Sequence, residues 1–256
     1  NQGGAIIASC DTNETGNYNL LLPGGDFTLK ITKYGYKDYE ERKISINDKL
    51  KLKCLYSSEG KLAVLCKGKK NLGFSICFTC GYALPSEEKF KKNRRKSVDN
   101  SHKTPFGLEC RGIMHSKLHL GHVFKTDVIL IHFESCLGLK NYSLEFWFSL
   151  LYAILDGVSQ SLGINRRDLD GCLYPYENQI SLVLFDSVPG GAGHVKRLLE
   201  KNNLSKVFKA AKERMANCNC DLESSCYGCL RNYQNQFCHD DLKRGLVLEF
   251  LTENLR

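Results

Sequence analysis

A short segment near the C-terminal end constrains this fold most, because it holds five of the chain's thirteen cysteines. The segment reads CNCDLESSCYGCLRNYQNQFC and places its thiols at Cys218, Cys220, Cys226, Cys229 and Cys238. A Cys-x2-Cys pair around a tight turn brings two thiolates to the separation that a tetrahedral zinc ion needs. The Cys-x-Cys pair can supply the other two ligands. The spacing therefore predicts a structural zinc site that is closed to substrate.

The alternatives to zinc are disulfides, a redox dithiol and unrelated core cysteines. An odd number of cysteines argues against a fully paired disulfide framework, and CxxC and CxC pairs are typical of metal binding in a reducing compartment. A thioredoxin-like dithiol needs no extra thiols. Free cysteines are often buried in cores, but five within one short segment with polar neighbours favour a metal. We therefore predict bound Zn²⁺ and a cytoplasmic location.

A second cysteine pair, Cys77-x2-Cys80 followed by glycine, has the spacing of a zinc knuckle. Its distant partners are less defined by the sequence. His102 and Cys110 are the candidates that we favour, and His115 is an alternative to the first of them. Two thiols at the end of a strand, with no metal, are the competing interpretation. The remaining upstream thiols that could take part are Cys54 and Cys66.

The composition predicts a globular protein with an excess of positive charge. Hydrophobic residues make up 42% of the 256 residues and the formal net charge is +8. No apolar run reaches the roughly 18 to 20 residues that a membrane span requires, and no signal peptide is visible, so we expect no membrane partner. Part of the charge comes from KFKKNRRK. We interpret this run either as a solvated loop or as a DNA contact made by Lys91, Lys92, Arg94 and Arg95.

The order of apolar patterns predicts an α+β fold, in which a small β-sandwich precedes a mixed α/β zinc-binding domain with a helical C-terminal part. Alternating residues in DFTLKIT are typical of a half-buried strand. Residues 1–56 contain short β-prone runs separated by turns, so we place the domain boundary between residues 56 and 57, with the second domain over 57–256. Apolar residues at helical spacing predict a helix over residues 144–162, and ISLVLFDSV predicts a central strand.

The N-terminal part resembles a carboxypeptidase-regulatory-like β-sandwich. The resemblance rests on TNETGNYNLLLPGGDFTLKITKYGYKDY, with its T-x-x-T-G-x-Y, P-x-G-x-[YF] and Gly-Tyr features. It implies a structural module without chemistry of its own. The usual first strand of that module is missing, so we expect the sequence to be a fragment of a longer protein.

Four blocks in order resemble the MrfA-like zinc-binding (MZB) domain: LGHVFKTDV, SLLYAILDGVSQSLGINRRDLDG, LFDSVPGGAGHVKRL and the cysteine segment. This domain forms the C-terminal part of some DEAD/DEAH-type DNA-repair helicases and occurs in DrmB of the DISARM anti-phage system. The resemblance covers roughly residues 60–250 and implies a four-cysteine zinc site beside a DNA helicase. Carried over by position, the ligands are Cys218, Cys220, Cys226 and Cys229. Cys238 remains an alternative to either of the first two.

The glycine-rich loop PGGAGH joins a strand to a helix. Its backbone N–H groups could bind phosphate, or its glycines could let the helix pack closely on the sheet, and we favour the second interpretation. The Walker A pattern is absent from the sequence, and Lys201 stands where an H-x-K-x4-D nuclease needs an acid. A hydrolytic or metal site could form only if two strand ends converge, and its candidate residues are His122, Asp127, Asp186 and His194.

Three functions are consistent with these features. The favoured one is a zinc-stabilised accessory module of a DNA helicase system, in repair or anti-phage defence, that binds DNA or a helicase partner without NTPase activity of its own. Tyr227 and Tyr233 would stack on bases, unless they pack around the zinc site predicted in their own cysteine segment. The second is a scaffold that docks a helicase without contacting DNA. The third is a hydrolase or nuclease that uses the two histidines and two aspartates above.

Overall fold

The computed structural model describes residues 26–29, 39–67, 72–86, 101–136 and 142–255. The four basic residues of the KFKKNRRK run, Lys91, Lys92, Arg94 and Arg95, lie outside the described residues. Most of the segment that resembles a carboxypeptidase-regulatory-like sandwich also lies outside them. The assignment of residues 1–56 to such a domain therefore stays a prediction.

The described strands form one large sheet and two small ones. The large sheet has the order β1-β3-β9-β11-β10, and all of its strand pairs are antiparallel. Strand β2 pairs with the first half of β3 and β1 with its second half. The small sheets have the orders β5-β4-β8 and β6-β7. The strands are β1 Asp26–Leu29, β2 Glu40–Ser45, β3 Lys51–Cys66, β4 Phe74–Cys77, β5 Ala83–Pro85, β6 His102–Lys103, β7 Glu109–Cys110, β8 Met114–Leu118, β9 Leu120–Ser135, β10 Leu169–Tyr176 and β11 Gln179–Asp186.

Three helices cover one face of the large sheet. They are α1 Leu144–Leu162, α2 Asn203–Ala216 and α3 Arg244–Asn254. The side chain of Ser143 caps α1 by accepting a hydrogen bond from the backbone N–H of Phe146 at 3.3 Å. Most of α1 is buried, because both the sheet and the other two helices pack around it. Short 3₁₀ helices lie at Arg166–Asp168, Val195–Leu199 and Gln236–Asp241.

The second half of strand β9 lies at the centre of the packing, because both faces are buried from Thr126 to Phe133. Ile129, Ile131 and Phe133 contact the main core beneath the helices. Val128 and Leu130 belong to a smaller apolar cluster on the opposite face. A strand that is buried on both sides has a continuous apolar run rather than an alternating one. This explains the sequence VILIHF at the end of the strand.

The α+β class predicted from the sequence is confirmed, as is the helix over residues 144–162. The helical spacing of Leu242, Leu246 and Phe250 in the sequence predicts a last helix over about residues 240–251, but α3 begins at Arg244 because a 3₁₀ helix occupies the residues before it. Strand β3 continues across the boundary predicted between residues 56 and 57, and β9 pairs with both of its halves. None of the helices in the described part of the chain is long and apolar enough to cross a membrane.

Candidate zinc centre

Four cysteines converge where α2 ends. Cys218 follows the last residue of α2 by two positions, and Cys220, Cys226 and Cys229 come from the loop that leads towards α3. Each of the four offers a sulfur atom, and all four sulfurs lie within 4.8 Å of one another. The cluster packs against the main hydrophobic core, in which Cys229 is fully buried. The helical core thus holds one edge of the cluster in place.

The separations between the sulfurs match those of a single tetrahedral ion. The Sγ atom of Cys218 lies 3.5 Å from that of Cys220 and 3.4 Å from that of Cys226. The Sγ atom of Cys229 lies 3.7 Å from that of Cys220 and 3.9 Å from that of Cys226. Zn–S bonds of about 2.3 Å at tetrahedral angles require S···S separations of about 3.8 Å. The separations are far longer than a disulfide bond of about 2.05 Å. The four thiols therefore fit zinc.

Backbone N–H groups stabilise negative charge on two of the sulfurs in the Cys226–Cys229 turn. The N–H of Gly228 donates to the Sγ of Cys226 at 3.3 Å, and the N–H of Cys226 donates to the Sγ of Cys229 at 3.2 Å. The turn itself is closed by the N–H of Cys229, which donates to the carbonyl of Cys226 at 3.1 Å. These contacts fix the ligand atoms before any metal arrives, because hydrogen bonds to metal ligands orient them.

The thiols of the cluster differ in acidity. A hydrogen bond from the backbone of Cys220 lowers the pKa of the Cys218 thiol to about 7. Burial raises the pKa of the Cys229 thiol to about 12. Without a cation, four sulfurs this close cannot all be thiolates at neutral pH, because burial and mutual repulsion oppose it. A bound dication removes this conflict, since a coordinated thiol is deprotonated.

Two arginines hold the backbone of the ligands. The buried Arg244 donates to the carbonyls of Cys220 at 2.6 Å and of Met215 at 2.8 Å. Arg214 donates to the carbonyl of Cys229 at 2.9 Å. Zinc with four thiolates would leave negative charge in excess, and the guanidinium of Arg244 would oppose that charge. Arg214 is also paired with the carboxylate of Asp156 at 3.3 Å. Sequence reasoning missed both arginines, because nothing in their spacing distinguishes them from surface cations.

Cys238 lies apart from the four-sulfur cluster. Its side chain is 1% exposed within the main core, and its thiol donates to the carbonyl of Asn235 at 3.4 Å. Burial raises its pKa to about 12. The structure therefore favours Cys218 and Cys220 over Cys238 as partners of the Cys226–Cys229 pair.

The upstream candidates also converge. The ligand atoms of Cys77, Cys80, His102 and Cys110 all lie within 4.8 Å of one another. The alternatives lie elsewhere. The ring of His115 stacks on Phe78 with 4.6 Å between the ring centroids. The other two upstream thiols are not members of the group either: Cys54 is buried in the main core, and Cys66 is exposed at the end of β3.

The glycine loop after β11 is occupied by a buried carboxylate of the chain itself. Asp186 is fully buried and accepts hydrogen bonds from the backbone N–H groups of Ala192 at 2.7 Å, His194 at 2.9 Å and Val195 at 3.0 Å. Such N–H groups could otherwise hold a phosphate. Because the aspartate already uses them, these N–H groups attach the loop and the following 3₁₀ helix to the sheet and are not free to bind phosphate.

A second aspartate holds the same loop from the neighbouring strand. Asp127 accepts from the backbone N–H of Gly193 at 2.9 Å and from the hydroxyl of Tyr56 at 2.5 Å. Burial, followed by this contact with Asp127, raises the pKa of Tyr56. Asp127 lies within β9 and Asp186 ends the neighbouring strand β11, so the two carboxylates do come together, but both bind protein groups rather than face a cleft.

The two histidines do not complete a catalytic group with these acids. His122 is exposed, stacks on Phe124 and lies five residues before Asp127 on β9, which is roughly 16 Å along a strand. His194 contributes its backbone N–H to Asp186. The geometry therefore gives no support to the hydrolase alternative.

Two aromatic side chains project from the zinc segment. Tyr227 is 64% exposed and Tyr233 is 83% exposed. The ring of Tyr227 meets that of His239 edge-on, with 5.6 Å between centroids. Neither tyrosine is buried around the metal ligands, so both are accessible to a partner.

The four-cysteine cluster is typical of a structural zinc-binding domain, and part of the sequence matches a family of such domains. The family model of the MrfA Zn-binding domain, MZB, matches residues 150–230. The predicted resemblance to MZB is thereby confirmed over this range, which contains all four cysteines of the cluster. Zinc is accordingly the cofactor that the matched region and its thiol cluster define.

The chain is also similar to individual proteins, at sequence identities of 26% or less. The chain is 26% identical over 220 residues to the Druantia protein DruE of Escherichia coli (strain UMEA 4076-1), covering 77% of this chain and 12% of DruE. Among solved structures, the DUF1998 helicase MrfA bound to DNA matches 92% of this chain and 29% of its own at 14% identity, with a TM-score of 0.41. MrfA bound to DNA and AMPPNP matches at 10% identity, with a TM-score of 0.38 and 26% of its own chain covered. The chain thus spans only a small part of each relative.

Proposed function

We propose that this chain is a zinc-stabilised accessory module of a DNA helicase system that contacts DNA and has no NTPase activity of its own. The observation that carries the proposal is the four-thiolate cluster, which lies inside the region matched by the MZB model. MZB domains occur in helicases and in a helicase-associated defence protein, as the resemblance implies. ATP-driven work would then belong to a partner chain or to a domain outside this sequence.

The occupied glycine loop supports the absence of NTP chemistry. A phosphate-binding loop needs free backbone N–H groups and a lysine that reaches the phosphates. Here the carboxylates of Asp186 and Asp127 accept four N–H groups of that loop. The module would therefore act by binding and positioning rather than by hydrolysis.

Exposed aromatic and basic side chains near the zinc centre support contact with DNA. Tyr227 and Tyr233 offer accessible rings on which bases can stack. Helix α2, which leads directly into the cluster, carries Lys206, Lys209 and Lys212 at three-residue intervals, so they share one face. We call these three residues the α2 lysine stripe. Lysines so arranged suit contacts to successive phosphates.

The proposed DNA contact can be tested by salt-dependent binding of labelled single- and double-stranded DNA. Replacing the basic run Lys91, Lys92, Arg94 and Arg95 by Ala, or the α2 lysine stripe by Ala, should weaken binding. For every phosphate that a variant no longer neutralises, the slope of log K against log salt should fall by roughly 0.7 to 0.9. Binding should be insensitive to sequence, because backbone contacts do not read bases.

A control that loses three positive charges, as the variant of the α2 lysine stripe does, separates local contacts from net charge. Lys43, Lys51 and Lys61 are exposed on β2 and β3, far along the chain from the zinc segment. Their triple Ala variant should keep the parent's salt slope. If all three multiple variants bind as the parent does, the chain is better described as a scaffold that docks a helicase without touching DNA. The free thiols of the chain favour a reducing, cytoplasmic setting for either role.

A further inference from the structure

A second zinc ion, we propose, is bound by Cys77, Cys80, His102 and Cys110. These residues lie in a small lobe, which we define as residues 72–86 and 101–119, and which contains the strands β4 to β8. The lobe lies outside residues 150–230, so the MZB match says nothing about it. The ligand set would be three thiolates and one imidazole, a common combination for structural zinc.

The ligand atoms are spaced for a single ion. The Sγ atom of Cys77 lies 4.0 Å from that of Cys110, and the Sγ atom of Cys80 lies 3.2 Å from the Nε2 atom of His102. Tetrahedral zinc requires about 3.8 Å between two sulfurs and about 3.6 Å between sulfur and nitrogen. Since all four atoms lie within 4.8 Å of one another, they enclose a volume suited to one cation.

Two different structural units supply the ligands. Cys77 ends β4, and the turn that contains Cys80 is closed by the N–H of Gly81, which donates to the carbonyl of Cys77 at 2.8 Å. His102 and Cys110 are directly opposite each other in the antiparallel pair β6-β7. Tyr82 stacks on the ring of His102, with 5.5 Å between centroids. The zinc ion would therefore join the three-stranded sheet to the two-stranded one.

The lobe has almost no hydrophobic core. Among its described residues, the buried hydrophobic side chains are Cys77 and Cys110, which are two of the proposed ligands. Large apolar residues point outwards instead, since Phe78 is 69% exposed and Phe106 is 90% exposed. A two- or three-stranded sheet without a core is at best marginally stable in water. A metal ion supplies the missing folding free energy in small units of this kind.

The backbone is packed tightly around the sulfurs. The N–H of Gly112 donates to the Sγ of Cys110 at 3.3 Å. A Cβ atom at Gly112 would lie 2.6 Å from the Sγ of Cys77, so only glycine permits this approach. The arrangement repeats the N–H···S hydrogen bonds of the Cys226–Cys229 turn. Two unmetallated thiols at a strand end would require neither the glycine nor the imidazole beside them.

The zinc content of the full chain, purified without chelator, tests this proposal. Elemental analysis of the parent should give two zinc ions per chain, one for each group of four ligands. Cys80→Ser should lower the content by one ion, and Cys66→Ser, which replaces an exposed thiol outside both groups, should leave it unchanged. A parent with one zinc, or a Cys80→Ser variant that keeps two, would overturn the proposal.

Cobalt spectroscopy covers the case in which Cys80→Ser fails to fold. The parent reconstituted with Co²⁺ should show tetrahedral bands from two sites, one with four sulfurs and one with three sulfurs and a nitrogen. His102→Cys should retain both ions and shift the second set of bands towards that of a four-sulfur site. His102→Phe, which keeps an aromatic ring but no donor, should weaken Co²⁺ binding at that site alone. Unchanged bands in both variants would exclude His102 as a ligand.

Discussion

Replacement of Asp186 by Asn separates a structural carboxylate from a catalytic one. Asp186 is fully buried and accepts three backbone N–H groups of the glycine loop, two at Oδ2 and one at Oδ1. In Asn, one oxygen becomes an amide group that donates. If the remaining oxygen keeps the pair at the Oδ2 position, the N–H of Val195 faces another donor and loses its partner. The variant should therefore lose stability whatever the protein does.

The size of the loss follows from these hydrogen bonds. A hydrogen bond to a charged acceptor contributes about 1.5 to 3 kcal/mol, and a buried donor left without a partner costs a comparable amount. One broken hydrogen bond and two weakened ones amount to about 3 kcal/mol. In a domain of 150 to 250 residues, each kcal/mol shifts the Tm by about 2 to 4 °C, so Asp186→Asn should lower the Tm by about 6 to 12 °C.

Thermal unfolding followed by circular dichroism measures this shift. Asp48→Asn is the matched control, because it makes the same chemical change in an exposed turn and should leave the Tm within about 1 °C. A Tm for Asp186→Asn that equals the control's would refute the structural role. If that variant also abolished a DNA cleavage activity present in the parent with Mg²⁺ or Mn²⁺, the hydrolase alternative would replace the accessory-module proposal.

Three further predictions concern the glycine loop, the zinc centre and the absence of ATP hydrolysis. Gly191→Ala should destabilise the chain more than Gly193→Ala in thermal unfolding: both glycines have positive φ, but only at Gly191 would a Cβ lie 2.1 Å from the Oδ2 of Asp127. Arg244→Met should speed the release of zinc to a chelator several-fold, because it removes the donors that hold the carbonyl of Cys220, and equal release rates would contradict this. The chain alone should release no phosphate from ATP, with or without DNA, in a coupled assay.

The sequence predicted those structural features that depend on the spacing of residues close together in the chain. Helix α1 was expected over its observed range because its apolar residues recur at helical spacing. The grouping of Cys218, Cys220, Cys226 and Cys229 followed from short-range spacing, since Cys-x-Cys and Cys-x2-Cys constrain geometry locally. Strand β10 was not expected: its sequence LDGCLYPY contains a glycine and a proline, and it becomes a strand by pairing with β11 along its whole length.

Long-range contacts are the part that the sequence alone left open. The partners of Cys77 and Cys80 could be proposed but not selected, because 22 residues separate Cys80 from His102. In the structure, the pairing of β6 with β7 places His102 and Cys110 together, close to Cys77 and Cys80. Likewise, the sequence left open whether the ends of β9 and β11 converge. In the structure Asp127, within β9, and Asp186, at the end of β11, each bind different N–H groups of the glycine loop, whereas His122 lies five residues away along β9.

The central claim is that Cys218, Cys220, Cys226 and Cys229 hold a zinc ion on which the surrounding fold depends. The most direct measurement compares the zinc content and Tm of the parent with those of Cys226→Ser and Cys238→Ser. We predict that Cys226→Ser loses one zinc ion per chain and unfolds at a clearly lower temperature, whereas Cys238→Ser keeps the parent's full zinc content. The account would be contradicted by a Cys226→Ser variant that retains all its zinc, or by a loss of zinc in Cys238→Ser.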